Sequence, residues 1–231
     1  MRKNDGTEGI GRRTLLLIGA AAPLAACGGL SNIIGPPPAS QIYLLRPPAP
    51  AQLDGTKVSW ALSVALPDAP GNLDTDRIAV ERSTDTADYY ANAVWPDDLT
   101  SIVQDCLVRA FEASGLIDSV VADTAGIRTD YALKTEITHF EARYATPDGP
   151  PTAVVAIAAS VVAVGDRMLA AHHVARQESL ATANTVEAAV QAFGRALGLV
   201  VNDIVRWTVA SVPSSSPELE HTPEGSKTHR R

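Results

Sequence analysis

The sequence predicts an α+β fold: an antiparallel β-sheet with two main helices packed on one face, preceded by a cleaved lipoprotein signal peptide. Three observations carry that expectation. Two long stretches repeat apolar residues at helical spacing, several shorter ones alternate at period two between turn residues, and the N terminus runs from basic to apolar to cysteine. The 231 residues suit one domain with extensions, and 19 Lys+Arg against 26 Asp+Glu give a net charge of −7, which argues against a nucleic-acid surface. Two cysteines are too few for a disulfide-dense scaffold.

Arg2, Lys3, Arg12 and Arg13 precede the uncharged stretch Thr14 to Ala22, and Leu24-Ala25-Ala26-Cys27 closes it. This is the layout of an export signal, and its apolar part is shorter than the roughly 20 residues a bilayer-spanning helix needs. The pair Arg12 and Arg13 just before the apolar run resembles a twin-arginine signal. Leu24 to Cys27 resembles a bacterial lipobox, so residues 1–26 are expected to be removed and Cys27 to carry the acyl chains. Two or three chains hold a protein on a membrane where one alone is marginal. By resemblance to the enterobacterial sorting rule, Gly28 in place of an Asp after the cysteine favours the outer membrane over the inner.

Residues 27–40 hold Gly35-Pro36-Pro37-Pro38 and read as a lipidated Cys with a Pro-rich tether, extended at about 3.1 Å per residue. Residues 212–231, rich in Ser, Pro, Glu and Thr, read as a disordered tail, which leaves 41–211 as the domain.

Within the domain, Leu99, Ile102, Val103, Cys106, Leu107, Ala110 and Phe111 predict a first helix, with Asp97 and Asp98 in its first turn and Gly115 as its stop. A longer helix is predicted from Asn184 as cap, with Glu187 three residues on, through Phe193 and Leu197 to Val205. Each apolar stripe is read as the inner face of a core helix, which makes Cys106 a small buried hydrophobe. Val58, Trp60, Leu62, Val64 and Leu66 alternate as a strand does, and so do Tyr131, Leu133, Thr135 and Ile137. Phe140, Ala142 and Tyr144 then continue in the other phase, which predicts a bulge near Thr138 to His139. The charge-free run Ala153 to Val164 is read as a strand, and with a third strand ending near Ser179 these form an antiparallel meander.

Catalytic and metal motifs are absent from the sequence: no G-x-S-x-G, Walker loop, H-E-x-x-H or C-x-x-C occurs. His172 and His173 are adjacent in a strand, so they point to opposite faces and do not share a metal. Asp97 with Asp98, and Asp74 with Asp76 beside Arg77, read as helix-end and turn acids. No catalytic residue, cofactor or metal site is expected, and no nucleic-acid partner.

In order, the lipobox, the Pro-rich tether, Tyr43-Leu44-Leu45, Leu73 to Val80, Asn92 to Trp95, the strand Tyr131 to Phe140 and the helix from Ala192-Phe193 to Trp207 resemble the ABC-type transport auxiliary lipoprotein family. The resemblance implies a non-enzymatic periplasmic lipoprotein serving an Mce-type ABC system that moves lipids between the two membranes. Its implied partner is an Mce-domain substrate-binding protein, and assembly as a homo-oligomer is compatible with it. Two other roles are set beside this one: a lipoprotein that activates an envelope enzyme such as a peptidoglycan synthase, and an envelope hydrolase using His172 or His173.

Overall fold

The structure is a computed structural model that describes residues 39–48, 53, 55–83 and 86–212. Cys27, Arg12, Arg13, the signal peptide, most of the tether and the tail from residue 213 lie outside the described residues. In chain order the elements are β1 (Gln41–Ile42), β2 (Val58–Val64), β3 (Arg77–Ser83), β4 (Thr86–Val94), α1 (Leu99–Ser114), β5 (Ile117–Ala122), a 3-10 turn (Asp123–Ala125), β6 (Tyr131–Arg143), β7 (Thr152–Ala163), β8 (Leu169–Leu180) and α2 (Val186–Ser211).

β6 organises the sheet. One edge pairs antiparallel with β7 along its whole length, and β7 pairs antiparallel with β8, which is the predicted meander. The other edge is shared by two parallel strands: β2 at Tyr131 to Leu133 and β3 at Ala142 and Arg143. β5 then adds parallel to β2, β4 antiparallel to β3, and β1 parallel to β4. The sheet is therefore mixed and mostly antiparallel, where the sequence predicts an antiparallel one. The reason lies in the connections, because side-chain alternation is the same in both kinds of strand. α1 lies between β2 and β5 in the chain, and a connection carrying a helix returns its strand parallel.

The bulge falls where the phase change places it, between Ile137 and His139. It keeps Tyr131, Leu133 and Ile137 on the same buried face as Phe140 and Ala142. Phe140 consequently stacks on Phe193 of α2 at 4.8 Å, and both rings meet Trp95 edge-on at 6.2 and 5.8 Å. These rings join residues of both helices in one buried cluster against the sheet. α2 is long and apolar enough to cross a membrane, but 72% of its most apolar stretch is buried inside the fold. Its stripe is the inner face of a core helix. Val212, assigned to the tail by composition, is also buried.

Both helix starts differ from expectation. Asp97 and Asp98 precede α1 and do not lie in its first turn: Asp98 stands at the cap position without a side-chain cap bond, and Asp97 Oδ1 accepts its N–H at 2.8 Å. The free amide of Leu99 donates instead to the Thr75 carbonyl, and the Thr100 hydroxyl donates to Asp74. In α2 the cap is Thr185, whose hydroxyl oxygen accepts from Ala188 N–H at 3.2 Å, because Asn184 is held by the Tyr144 hydroxyl. Gly115 ends α1 in the left-handed region, φ 65°, as a stop glycine should.

Candidate functional site

No cluster able to hold a metal occurs among the described residues. His172 and His173 point to opposite faces of β8, as expected. His172 Nδ1 lies 3.1 Å from the Ser160 hydroxyl on the outer face, whereas His173 Nε2 meets Asp203 at 2.9 Å and stacks on Trp207 at 5.1 Å under α2. The Ser–His and His–Asp halves of a nucleophilic relay are thus both present but separated by the sheet. A relay needs one imidazole bonded to both.

On the outer face, Arg143 donates through Nε and Nη2 to Glu81 and through Nη2 to Glu141, whose Oε1 also lies 3.1 Å from His139 Nδ1. Burial alone would lower the Arg143 pKa, but the bond and charge of Glu81, with Glu141 and Glu178, raise it overall. Two carboxylates sharing one guanidinium form an ion-pair network with no nucleophile in it. Asp74 and Asp76 are equally structural. The Asp76 carbonyl takes the Trp95 N–H at 2.6 Å, and Arg77 lies over the Tyr89 ring at 3.7 Å without neutralising either acid. The segment Leu73 to Arg77 is therefore a cap supplied to α1 from a distant turn.

The segment from Gln41 to Pro48, which leads into the domain, packs along α2. Gln41 and Ile42 pair with the end of β4, and Tyr43 N–H donates to the Val94 carbonyl at 2.8 Å. Residues 42 to 47 then alternate, with Tyr43, Leu45 and Pro47 half-buried and Ile42, Leu44 and Arg46 exposed, before the exposed Pro48 comes to rest on α2. This strap runs along α2 in the helix's own direction. Tyr43 meets Glu187, the Arg46 carbonyl lies over Gly194, and the Pro48 ring lies over Gly198. Three and two strap residues at about 3.3 Å each match seven and four helix residues at 1.5 Å. Glycine is required at both seats: a Cβ on Gly194 would stand 2.8 Å from the Arg46 oxygen, and one on Gly198 2.9 Å from Pro48 Cδ. Sequence reading missed this pair, although Gly194 and Gly198 four apart on an otherwise apolar helix are a visible signal of close backbone approach.

At the head of the strap, the Tyr43 hydroxyl donates to Glu187 Oε1 at 2.8 Å. The Glu187 carboxyl is held below its ordinary value, first by its own backbone N–H in the first turn of α2 and then by the Tyr43 hydroxyl. The Tyr43 pKa is raised, by burial and then by that same carboxylate. Between strap and helices lies a narrow cavity of about 260 Å³ that includes Leu45, Pro47, Cys106, Ala110 and Gly198. Cys106 is half-buried there, less enclosed than a core residue, and burial pushes its thiol up to about 11. It is a protonated, unreactive thiol at neutral pH.

The described residues form an α+β domain whose N-terminal strap is seated on its last helix. Residues 43–205 match the family model described as "ABC-type transport auxiliary lipoprotein component", and the chain belongs to that family. The match begins at Tyr43, the first residue of the strap turned inward. An uncharacterized protein of Bradyrhizobium diazoefficiens, bll6063, is 28% identical over 207 residues, which cover 89% of this chain and 54% of that one. The chain thus spans about half the length of this curated relative. The crystal structure of XCC0632 from Xanthomonas campestris is similar with a TM-score of 0.69 and 29% identity, over 74% of this chain and 96% of that one. A second crystal structure, of an uncharacterized protein, shares the fold at a TM-score of 0.57 and 18% identity, over 74% and 99% of the two chains.

Proposed function

We propose that this chain is a non-enzymatic, membrane-anchored periplasmic lipoprotein, the auxiliary component of an Mce-type ABC system that moves lipids between inner and outer membranes. Membership of the ABC transport auxiliary family carries this reading, and the seated strap supports it. Signal removal at residue 26 leaves Cys27 as the acylated N terminus, and residues 28–40 link it to the strap. Roughly 13 extended residues let the domain stand up to about 40 Å from its bilayer. β1 runs opposite to β6, so Gln41 stands at the end of the sheet where β6 finishes and α2 begins. Gly28 favours the outer membrane.

The test is a crosslinked pull-down of the full-length protein from native membranes, with intact-mass measurement of the bait and a Cys27→Ala control. Recovery of an Mce-domain protein together with an acylated bait is the expected result. Recovery of a peptidoglycan synthase and no transporter subunit would transfer the protein to the alternative role of envelope-enzyme activator.

A further inference from the structure

β8 pairs with β7 on one side, and among the described residues no strand pairs with its other edge. Two bonds fix the direction of its peptide groups. Ala181 N–H donates to Pro151 on the β7 side, whereas the Leu180 carbonyl accepts from the Arg195 guanidinium at 3.0 Å. Alternation along the strand then aims the peptide groups of Val174, Arg176, Glu178 and Leu180 at the open edge. Long open edges are ordinarily protected by Pro, Lys or a bulge. From Ala171 to Leu180 there is no Pro and no Lys, and the register with β7 is unbroken. Val174 and Leu180 are instead 55% and 62% exposed, and between them Arg176 and Glu178 form a 2.9 Å ion pair on the outer face.

We propose that β8 pairs antiparallel with β8 of a second copy of this chain, about a two-fold axis at Gln177. That register places Arg176 opposite Glu178 of the other copy, and Val174 opposite Leu180, each twice by symmetry. Opposite charges and apolar pairs facing each other across strands are stabilising, and like charges are not. Neighbouring registers lose this. Centring on Arg176 or on Glu178 sets like charges face to face, centring on Ala175 puts Arg176 opposite Val174, and centring on Ser179 puts Glu178 opposite Leu180. The helix layer agrees independently. Arg195 reaches Ser179 and Leu180, and Asp203 reaches His173, so Leu199, midway on the same stripe of α2, lies at the level of Gln177. It is 55% exposed, and the two-fold axis brings it against its counterpart. The contact is self-complementary, as a closed two-fold interface must be. It does not depend on the transport reading.

The test uses the full-length protein in detergent, with mass measured in solution and folding checked by circular dichroism. Wild type is expected to be dimeric. Arg176→Glu and Glu178→Arg, each alone, raise the dimer dissociation constant at least tenfold, the double variant restores it, and mixing the two single variants gives a heterodimer. Gln177→Cys in a Cys106→Ser background gives a disulfide-linked dimer on mild oxidation, since facing residues of a non-hydrogen-bonded pair have Cα atoms about 4.5 Å apart, within disulfide range. The Cys106→Ser parent, which keeps Cys27, gives none. A monomeric wild type, an assembly indifferent to the charge reversals, or crosslinking of the Gln177→Cys protein to a different envelope protein would each overturn the proposal.

Discussion

At Gly194 two effects oppose each other. Replacing a helical glycine by alanine ordinarily gains about 1 kcal/mol of helix propensity. Here the new methyl meets a backbone oxygen at 2.8 Å, and overpacking of this kind costs about 1–3 kcal/mol. Gly194→Ala is therefore expected to lower stability or lift the strap, read as a lower urea midpoint together with faster amide exchange at Tyr43. A variant more stable than wild type would mean that the strap is not seated there. The Tyr43–Glu187 contact has a defined pH window. A carboxyl held below its ordinary value contributes above that value, and the contribution is lost as pH falls through the lowered one. A phenol held above 10.0 contributes below that value, and its contribution is lost as pH rises through the raised one. The contact thus holds from mildly acidic to mildly alkaline pH. Carboxyl NMR titration of Tyr43→Phe should show Glu187 moving back up toward 4.5. For Cys106, a rise from 9.0 to about 11 leaves about 100-fold less thiolate near neutral pH, so maleimide labelling of the folded protein should be slower than that of the urea-unfolded chain by a factor of that order.

Among the elements, α2 carries most of the organisation. Its cap is Thr185, and Thr185→Ala should cost about 0.5–2 kcal/mol and speed exchange at the Ala188 amide, while Asn184→Ala leaves that amide protected. Phe193 stacks flat on Phe140 and meets Trp95, and Phe193→Ala should cost about 3–5 kcal/mol in urea unfolding. The lengths of both helices, the three-strand meander and the bulge after Ile137 were legible in the sequence, because apolar periodicity reports directly which face is buried. The cap of α2 was not, since Asn184 and Thr185 are both good caps and Tyr144 decides between them from 40 residues away. β4 and β5 were missed because their faces are mostly polar or half-exposed and carry no clean alternation.

For the whole molecule, the expectation is that Cys27→Ala moves the protein from the membrane fraction to the soluble one, read by fractionation of cells expressing each form. A protein that stayed on the membrane would remove the acyl anchor from the account. The sequence by itself determined the α+β class, the burial of both helical stripes, the family and the expectation of a lipidated Cys27, because each is written in local pattern or in short motifs. Only the tertiary structure decided three things. β2 and β3, on one edge of β6, run parallel to it, since direction depends on the connection and not on alternation. The residues from Leu73 to Arg77 serve as a cap for α1, since that bond joins segments more than 20 residues apart. The strap lies in the seats of Gly194 and Gly198, since close approach of two backbones is a property of the folded chain, and a glycine records only that room was left for it.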